Sequence, residues 1–141
     1  MLTRPEIKVS ETAKYGKYVR TTEIYRDKVL VSIKREVSAH KGGRIDAIFT
    51  KLFRGGEMIY ASSFYTADRS RNACSYYHQG KMVIEEGDED RKGCFETMIL
   101  FDAKEQPVEA FKRSEEGAVT QFSEEELSKL KETFAIINGE N

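Results

Sequence analysis

The residues able to do covalent or acid–base chemistry are few in this 141-residue chain, which has two cysteines and two histidines. Cys74 and His78 lie close in sequence and are of the types that form a nucleophile and its base. On a strand, however, positions four apart share a face but stand about 13 Å apart, so the two side chains are not expected to touch. We predict no catalytic residue. An enzyme using His78 and a carboxylate such as Glu96 is kept as an alternative, which requires both groups to converge in a cleft.

Metal and cofactor chemistry has equally little support in the sequence. Two histidines and no clustered cysteines do not favour a transition-metal site. The acidic segment Asp88-Glu89-Asp90 lacks the spaced ligands of a calcium loop and runs straight into Arg91-Lys92, which favours a solvated turn. Cys74 and Cys94 are expected to be reduced, mostly buried thiols, with one long-range disulfide between them as the alternative. We therefore predict no metal and no cofactor.

Small hydroxyl side chains interspersed with aromatic ones give the main clue to ligand binding. Ser62, Ser75 and Thr97 each lie two residues from aromatic or aliphatic side chains in strand-like segments. If those faces point inward, they leave room and supply a few hydrogen-bonding groups, as in an apolar ligand site. The alternative is ordinary barrel packing, in which small residues fit opposite large ones. The predicted ligand-binding residues are Tyr60, Ser62, Phe64, Ser75, Tyr77 and Thr97.

The net charge of −1 conceals an uneven distribution of charge along the chain. Residues 1–66 carry thirteen Lys and Arg against seven Asp and Glu, whereas residues 67–141 carry ten against seventeen. Strands from the two halves can pair and intermingle these charges; otherwise the asymmetry favours a homodimer or an anionic partner. Tyrosines among basic residues in the first half suit nucleic acid, but a pI near 6.2 and the lack of a known motif argue against that partner.

The sequence shows neither a membrane span nor a secretory signal. No apolar run approaches eighteen residues, and the N-terminal segment is polar and charged. The expected location is therefore the cytoplasm.

Alternation at period two, separated by polar or glycine-containing joints, predicts about eight strands. The segments are residues 17–26, 28–37, 44–66 (two strands joined at Gly55-Gly56), 71–78, 82–86, 94–102 and 108–113, with turns expected at 67–70 and 87–93. Residues 1–16 show no sustained period and contain Pro5, so we expect an N-terminal arm there and a single domain over residues 17–141.

The end of the chain has a different period. Ser123 and Glu126 fit a capping box, and the apolar side chains of one helical face then follow at Leu127, Leu130, Phe134 and Ile137. The spacing predicts an amphipathic helix over 123–138 that ends near Asn138-Gly139.

Together these elements predict a mainly β (α+β) fold. We expect an eight-stranded antiparallel meander that forms a barrel or half-barrel, with the C-terminal helix packed on it; a two-sheet sandwich is the alternative. This order of elements resembles that of the lipocalin and related calycin barrels. The G-x-W signature of lipocalins is absent, since the early segment reads Tyr15-Gly16-Lys17-Tyr18, so no membership is inferred.

Three functions follow as hypotheses. The leading one is non-enzymatic binding of a small, largely apolar ligand in a barrel cavity. The second is a protein-interaction module or homo-oligomeric subunit, favoured by strands that are apolar on both faces, such as Ile48 and Leu52 against Phe49 and Phe53. The third is the enzyme alternative above.

Overall fold

The computed structural model describes residues 4–66, 72–88 and 95–137. Within these ranges, ten strands form a single sheet in chain order, every neighbouring pair is antiparallel, and one helix follows. No helix in this part of the chain is long and apolar enough to cross a membrane. The elements are β1 (Glu6–Lys14), β2 (Lys17–Arg26), β3 (Val29–Ser38), β4 (Ile45–Arg54), β5 (Glu57–Tyr65), β6 (Asn72–His78), β7 (Lys81–Asp88), β8 (Thr97–Phe101), β9 (Pro107–Arg113), β10 (Val119–Gln121) and α1 (Glu124–Ile137).

The antiparallel sheet and the C-terminal helix are confirmed, and two strands are added to the predicted eight. Strand β1 lies in the segment expected to be an arm and pairs with β2 from Glu6↔Tyr25 to Lys14↔Lys17. All nine of its residues are exposed, which explains why the alternation of Ile7 and Val9 is not sustained along the strand. Strand β10 has only three residues.

The predicted joints have mixed outcomes. Gly55 and Gly56 both have positive φ angles, as a two-residue hairpin turn requires. The reversal expected from Gly87 was placed too early, since β7 continues to Asp88. The predicted turn at 67–70, the acidic residues Glu89-Asp90, Cys94 and the helix end at Asn138-Gly139 lie outside the described residues.

Helix α1 packs on one side of the sheet over its last strands. The buried residues Ile99, Phe101 and Ala110 form the core there, and the rings of Phe101 and Phe134 lie 5.2 Å apart. The predicted helical stripe therefore does face the sheet. The core is completed by the half-buried side chains of Met82, Phe122, Leu127, Leu130 and Phe134.

Because side chains alternate along each strand, the paired residues divide the sheet into two faces. We call the side that carries Ile99 and Ala110, against which α1 packs, the helix face. The other side, which carries Tyr60, Ser62 and Cys74, is the open face.

The sheet is not closed, so the expected barrel is not confirmed. Strands β1 and β10 are its two edges. The accessible surface is 10062 Å², about a third more than the roughly 7,500 Å² that a compact monomer of this mass exposes. Apart from Pro107, the apolar residues buried in the described part of the chain are Ala47, Cys74, Ile99, Phe101 and Ala110. The described residues thus form one extended sheet, with a small core at the end that α1 covers.

Candidate functional site

The six residues predicted to bind a ligand fall on opposite faces of the sheet. Tyr60 and Ser62 on β5 pair with Tyr76 and Cys74, which places them on the open face. Ser75 pairs with Ala61 and therefore points to the helix face, and Thr97 pairs with Gly87 on that same side. The structure brings together Tyr60, Ser62 and Phe64 on the open face, and places Ser75, Tyr77 and Thr97 on the helix face. The two groups do not line one cavity.

A compact Tyr–Cys cluster lies at the centre of the open face. The rings of Tyr60 and Tyr76 meet edge to face at 5.4 Å. Cys74, a free cysteine that is 2% exposed, donates a long hydrogen bond of 3.8 Å from its Sγ to the hydroxyl of Tyr76. Ser62 is also buried. These contacts hold two aromatic rings in a fixed arrangement.

The electrostatics of this cluster keep its groups neutral. Burial is the main cause that raises the pKa of the Cys74 thiol, and it also raises the pKa of Tyr60. The hydrogen bond with Cys74 is the main cause that raises the pKa of Tyr76. Because the thiolate is the nucleophilic form of cysteine, a buried thiol with a raised pKa is a poor nucleophile. The cluster is suited to packing rather than to covalent chemistry.

The two groups of the enzyme alternative are far apart. His78 is exposed beside the β6–β7 turn, where it pairs with Lys81. The backbone N–H of Glu96 donates to the carbonyl of Gly87 on β7. Gly87 lies six residues beyond Lys81, the strand partner of His78, so His78 and Glu96 are separated by about 20 Å along the sheet. Among the described residues, no group of three His, Cys, Asp or Glu side chains is arranged to hold a metal ion.

A row of apolar side chains crosses the open face from β1 to β8. We call this row the apolar stripe. It begins at Ile7, which is 60% exposed, passes Leu52, which is 36% exposed, and is interrupted only at Ser32. The register defines its members as Ile7, Ile24, Leu52, Tyr60, Tyr76, Ile84 and Leu100.

A polar row borders the apolar stripe. Thr22, Lys34, Thr50 and Ser62 lie next to it along β2 to β5, and Glu86 lies next to it on β7. The same row holds Val9, Cys74 and Met98 on β1, β6 and β8. The stripe is therefore an apolar band whose margin is polar mainly along β2 to β5.

In the described part of the chain, no second layer covers the apolar stripe. Among the described residues, helix α1 packs on β8 and β9, and this packing lies on the helix face. Apolar sheet faces are normally buried against another layer. Sequence analysis detected strands that are apolar on both faces, but it did not identify the stripe, because the stripe exists only when eight strands are in register.

A groove on the helix face is the second candidate site. It lies over β2 to β5, has a volume of about 480 Å³, and contains the edge-to-face pair Phe49–Tyr65 with ring centroids 5.8 Å apart. The buried Ala47 lies in it, and its small side chain leaves room between the larger residues. Its apolar lining is Val19, Val37, Ala47, Phe49 and Tyr65.

The sequence analysis did not predict this groove. Its signal is Ala47, a small residue two positions from the aromatic Phe49, which is the same kind of pattern that pointed to Ser62. None of the six predicted ligand residues lines it. No known protein family, no curated protein and no solved structure matches this chain.

Proposed function

We propose that this protein is a non-enzymatic protein-interaction module that binds a partner protein over the apolar stripe of its open face. The observation that carries the proposal is the stripe itself, which crosses eight strands without a covering layer. Eight strands span about 34 Å. In a standard interface each partner buries about 800 Å², which corresponds to a patch roughly 30 Å across, so the stripe is long enough to cross one.

The composition of the stripe supports binding to another protein. Its centre is formed by Tyr60 and Tyr76, which are half-buried and in contact with each other. Aromatic side chains already held in place lose little entropy on binding and are frequent anchors at the centre of interfaces. The polar row beside them, with Lys34 and Glu86, provides the polar rim that such interfaces have.

The test compares two lysine substitutions at similarly exposed apolar positions. Leu52→Lys places a charge in the stripe. Val108→Lys is the control, because Val108 is 43% exposed and lies outside the stripe, at the irregularity between β8 and β9. Proteins retained from the host extract by the immobilised wild-type chain are identified by mass spectrometry, and the leading one is titrated calorimetrically. We expect Leu52→Lys to weaken its binding at least about tenfold and Val108→Lys to leave it unchanged. Equal binding by both variants, with both folded by circular dichroism, would overturn the proposal.

A second candidate is the binding of a small, largely apolar ligand, and the groove at Phe49 and Tyr65 favours it. Its volume of about 480 Å³ is in the range of small-molecule sites. Native mass spectrometry of protein from its own host would then show a discrete extra mass that disappears on denaturation. Ala47→Leu, which fills the groove, should remove that mass, while Ala118→Leu in the exposed β9–β10 connection should not. Protein that shows no bound extra mass contradicts this candidate.

The cytoplasmic location expected from the sequence stays a proposal.

A further inference from the structure

The outer edge of β1 is a long, regular and unpaired strand edge. Nine consecutive residues pair with β2 without a bulge, and all of them are exposed. In the part of the chain that the structure describes, no strand pairs with the other side of β1. Natural edges are usually protected by proline, by a bulge, by being short or by charged side chains, especially lysine. Strand β10 at the opposite edge is short, whereas β1 is long, has no bulge or proline, and carries two lysines and two glutamates as its only such device.

The charges of β1 make the strand complementary to itself in the antiparallel direction. The sequence EIKVSETAK carries two glutamates and two lysines and therefore no net charge. When two copies pair about an axis normal to the sheet, directly opposed residues share a face. With the axis at Ser10, Glu6 of each copy lies opposite Lys14 of the other, so two opposite-charge pairs form at the ends of the strand.

Neighbouring registers lack this complementarity. An axis at Glu11 would oppose Glu11 to itself and Lys8 to Lys14, which juxtaposes like charges. An axis at Val9 would oppose Glu6 to Thr12 and leave Lys14 without a partner in β1, so that no opposite-charge pair forms. In the register at Ser10, Ile7 lies opposite Ala13 and Val9 opposite Glu11 on the open face. The charge pattern thus favours the register at Ser10 over these two neighbours.

We propose that two copies of this chain pair through their β1 edges, antiparallel and centred on Ser10, to form one continuous sheet. The backbone groups of β1 that point away from β2 then gain hydrogen-bond partners, as in other cases of strand addition. The two open faces lie on the same side of the combined sheet, so the dimer presents two apolar stripes in one direction. The pairing uses the strand edge and does not depend on the stripe.

A charge-swap series tests the dimer and its register. Glu6→Lys and Lys14→Glu each place like charges at both ends of the paired strands, and we expect each to weaken dimerisation about tenfold in sedimentation velocity. The double variant Glu6→Lys with Lys14→Glu restores opposite charges at both ends, so its dissociation constant should return to within about twofold of the wild type. A wild-type chain that stays monomeric at its highest soluble concentration overturns the proposal, as does a double variant that is not rescued.

Cysteine cross-linking gives a second reading of the register, in a Cys94→Ser background. Ser10→Cys faces its own copy across the axis at a Cα distance of about 5 Å, so mild oxidation should produce a covalent dimer. Thr12→Cys lies opposite Lys8 of the second copy and should cross-link much more slowly. Equal rates for the two variants would exclude this register.

The two proposals fail separately. Leu52→Lys should leave the dimerisation constant unchanged because Leu52 lies on β4, away from the edge. If the wild-type chain does not dimerise but still binds its partner over the apolar stripe, only the proposal about β1 fails.

Discussion

At the scale of single residues, the exposed carboxylate of Glu126 connects the start of helix α1 to the sheet. Its Oε1 accepts from the backbone N–H of Ser123 at 3.0 Å, while its own N–H donates to Ser123 Oγ at 3.1 Å. Its Oε2 lies 2.6 Å from Lys112 Nζ on β9. The predicted capping box is therefore confirmed, and the same carboxylate also ties the helix start to the sheet.

The ionisation of Glu126 should make stability depend on pH. The hydrogen bond from Lys112 is the main cause that lowers its pKa to about 2 from 4.5. A lowered folded-state pKa stabilises the protein above the unfolded pKa, and that contribution is lost as the pH falls from about 4.5 towards 2. We expect Glu126→Gln to lower the melting temperature at neutral pH. The difference in melting temperature between this variant and the wild type should shrink as the pH falls from about 4.5 towards 2.

The matched control is Glu125→Gln, which removes an exposed carboxylate whose pair with Lys129 is 3.7 Å long. Calorimetric melting curves of both variants across the window measure the effect. A Glu125→Gln variant with the same pH-dependent difference would show that the contact with Lys112 is not responsible.

At the scale of elements, the β4–β5 and β2–β3 turns both require positive φ angles, but only the first has glycines at these positions. Gly55 and Gly56 adopt positive φ angles of 58° and 84° without cost to a side chain. Asp27 and Lys28 occupy the equivalent place between β2 and β3 at 52° and 66°. A non-glycine residue in this region costs about 1 kcal/mol or more. The β2–β3 turn is thus strained, and the β4–β5 turn is not.

Glycine at the β2–β3 turn should stabilise the protein. We expect Lys28→Gly to raise the free energy of unfolding by about 0.5 kcal/mol, since the relief of backbone strain exceeds the added entropy of the unfolded chain. Lys34→Gly, in the middle of β3, should instead lower it by about 1 kcal/mol. Urea denaturation of both variants measures the difference, and a Lys28→Gly variant as destabilised as Lys34→Gly would contradict this account of the turn.

At the scale of the whole molecule, the proportions of sheet and helix decide how much surface stays uncovered. Ten strands span about 43 Å, whereas α1, with 14 residues, is about 21 Å long and roughly 10 Å wide. One such helix covers only a small part of one face. Because α1 lies on the helix face, apolar residues of the open face such as Leu52 and Phe64 remain more than a third exposed.

Small-angle X-ray scattering should show the extended shape directly. A compact chain of this length has a radius of gyration of about 14 Å, and we expect a clearly larger value for the monomer. Dilute Glu6→Lys protein is the suitable sample, because it removes the contribution of the proposed dimer. A monomer at about 14 Å would show that the sheet closes in solution.

The sequence by itself determined the features that depend on neighbours along the chain. Period-two alternation identified the strands with a buried side, Gly55-Gly56 marked a hairpin, and Ser123 with Glu126 marked the helix start. Strand β1 was missed because it buries no side chain, so its conformation is set by pairing with β2 rather than by an apolar pattern of its own.

Only the tertiary structure decided which residues share a face and whether the sheet closes. Alternation places Tyr60 with Ser62, and Ser75 with Tyr77, but which of these pairs faces the helix depends on the register between β5 and β6. Closure depends in turn on whether strands at opposite ends of the chain meet. Both are long-range properties of the backbone hydrogen-bond network, and no local period in the sequence encodes them.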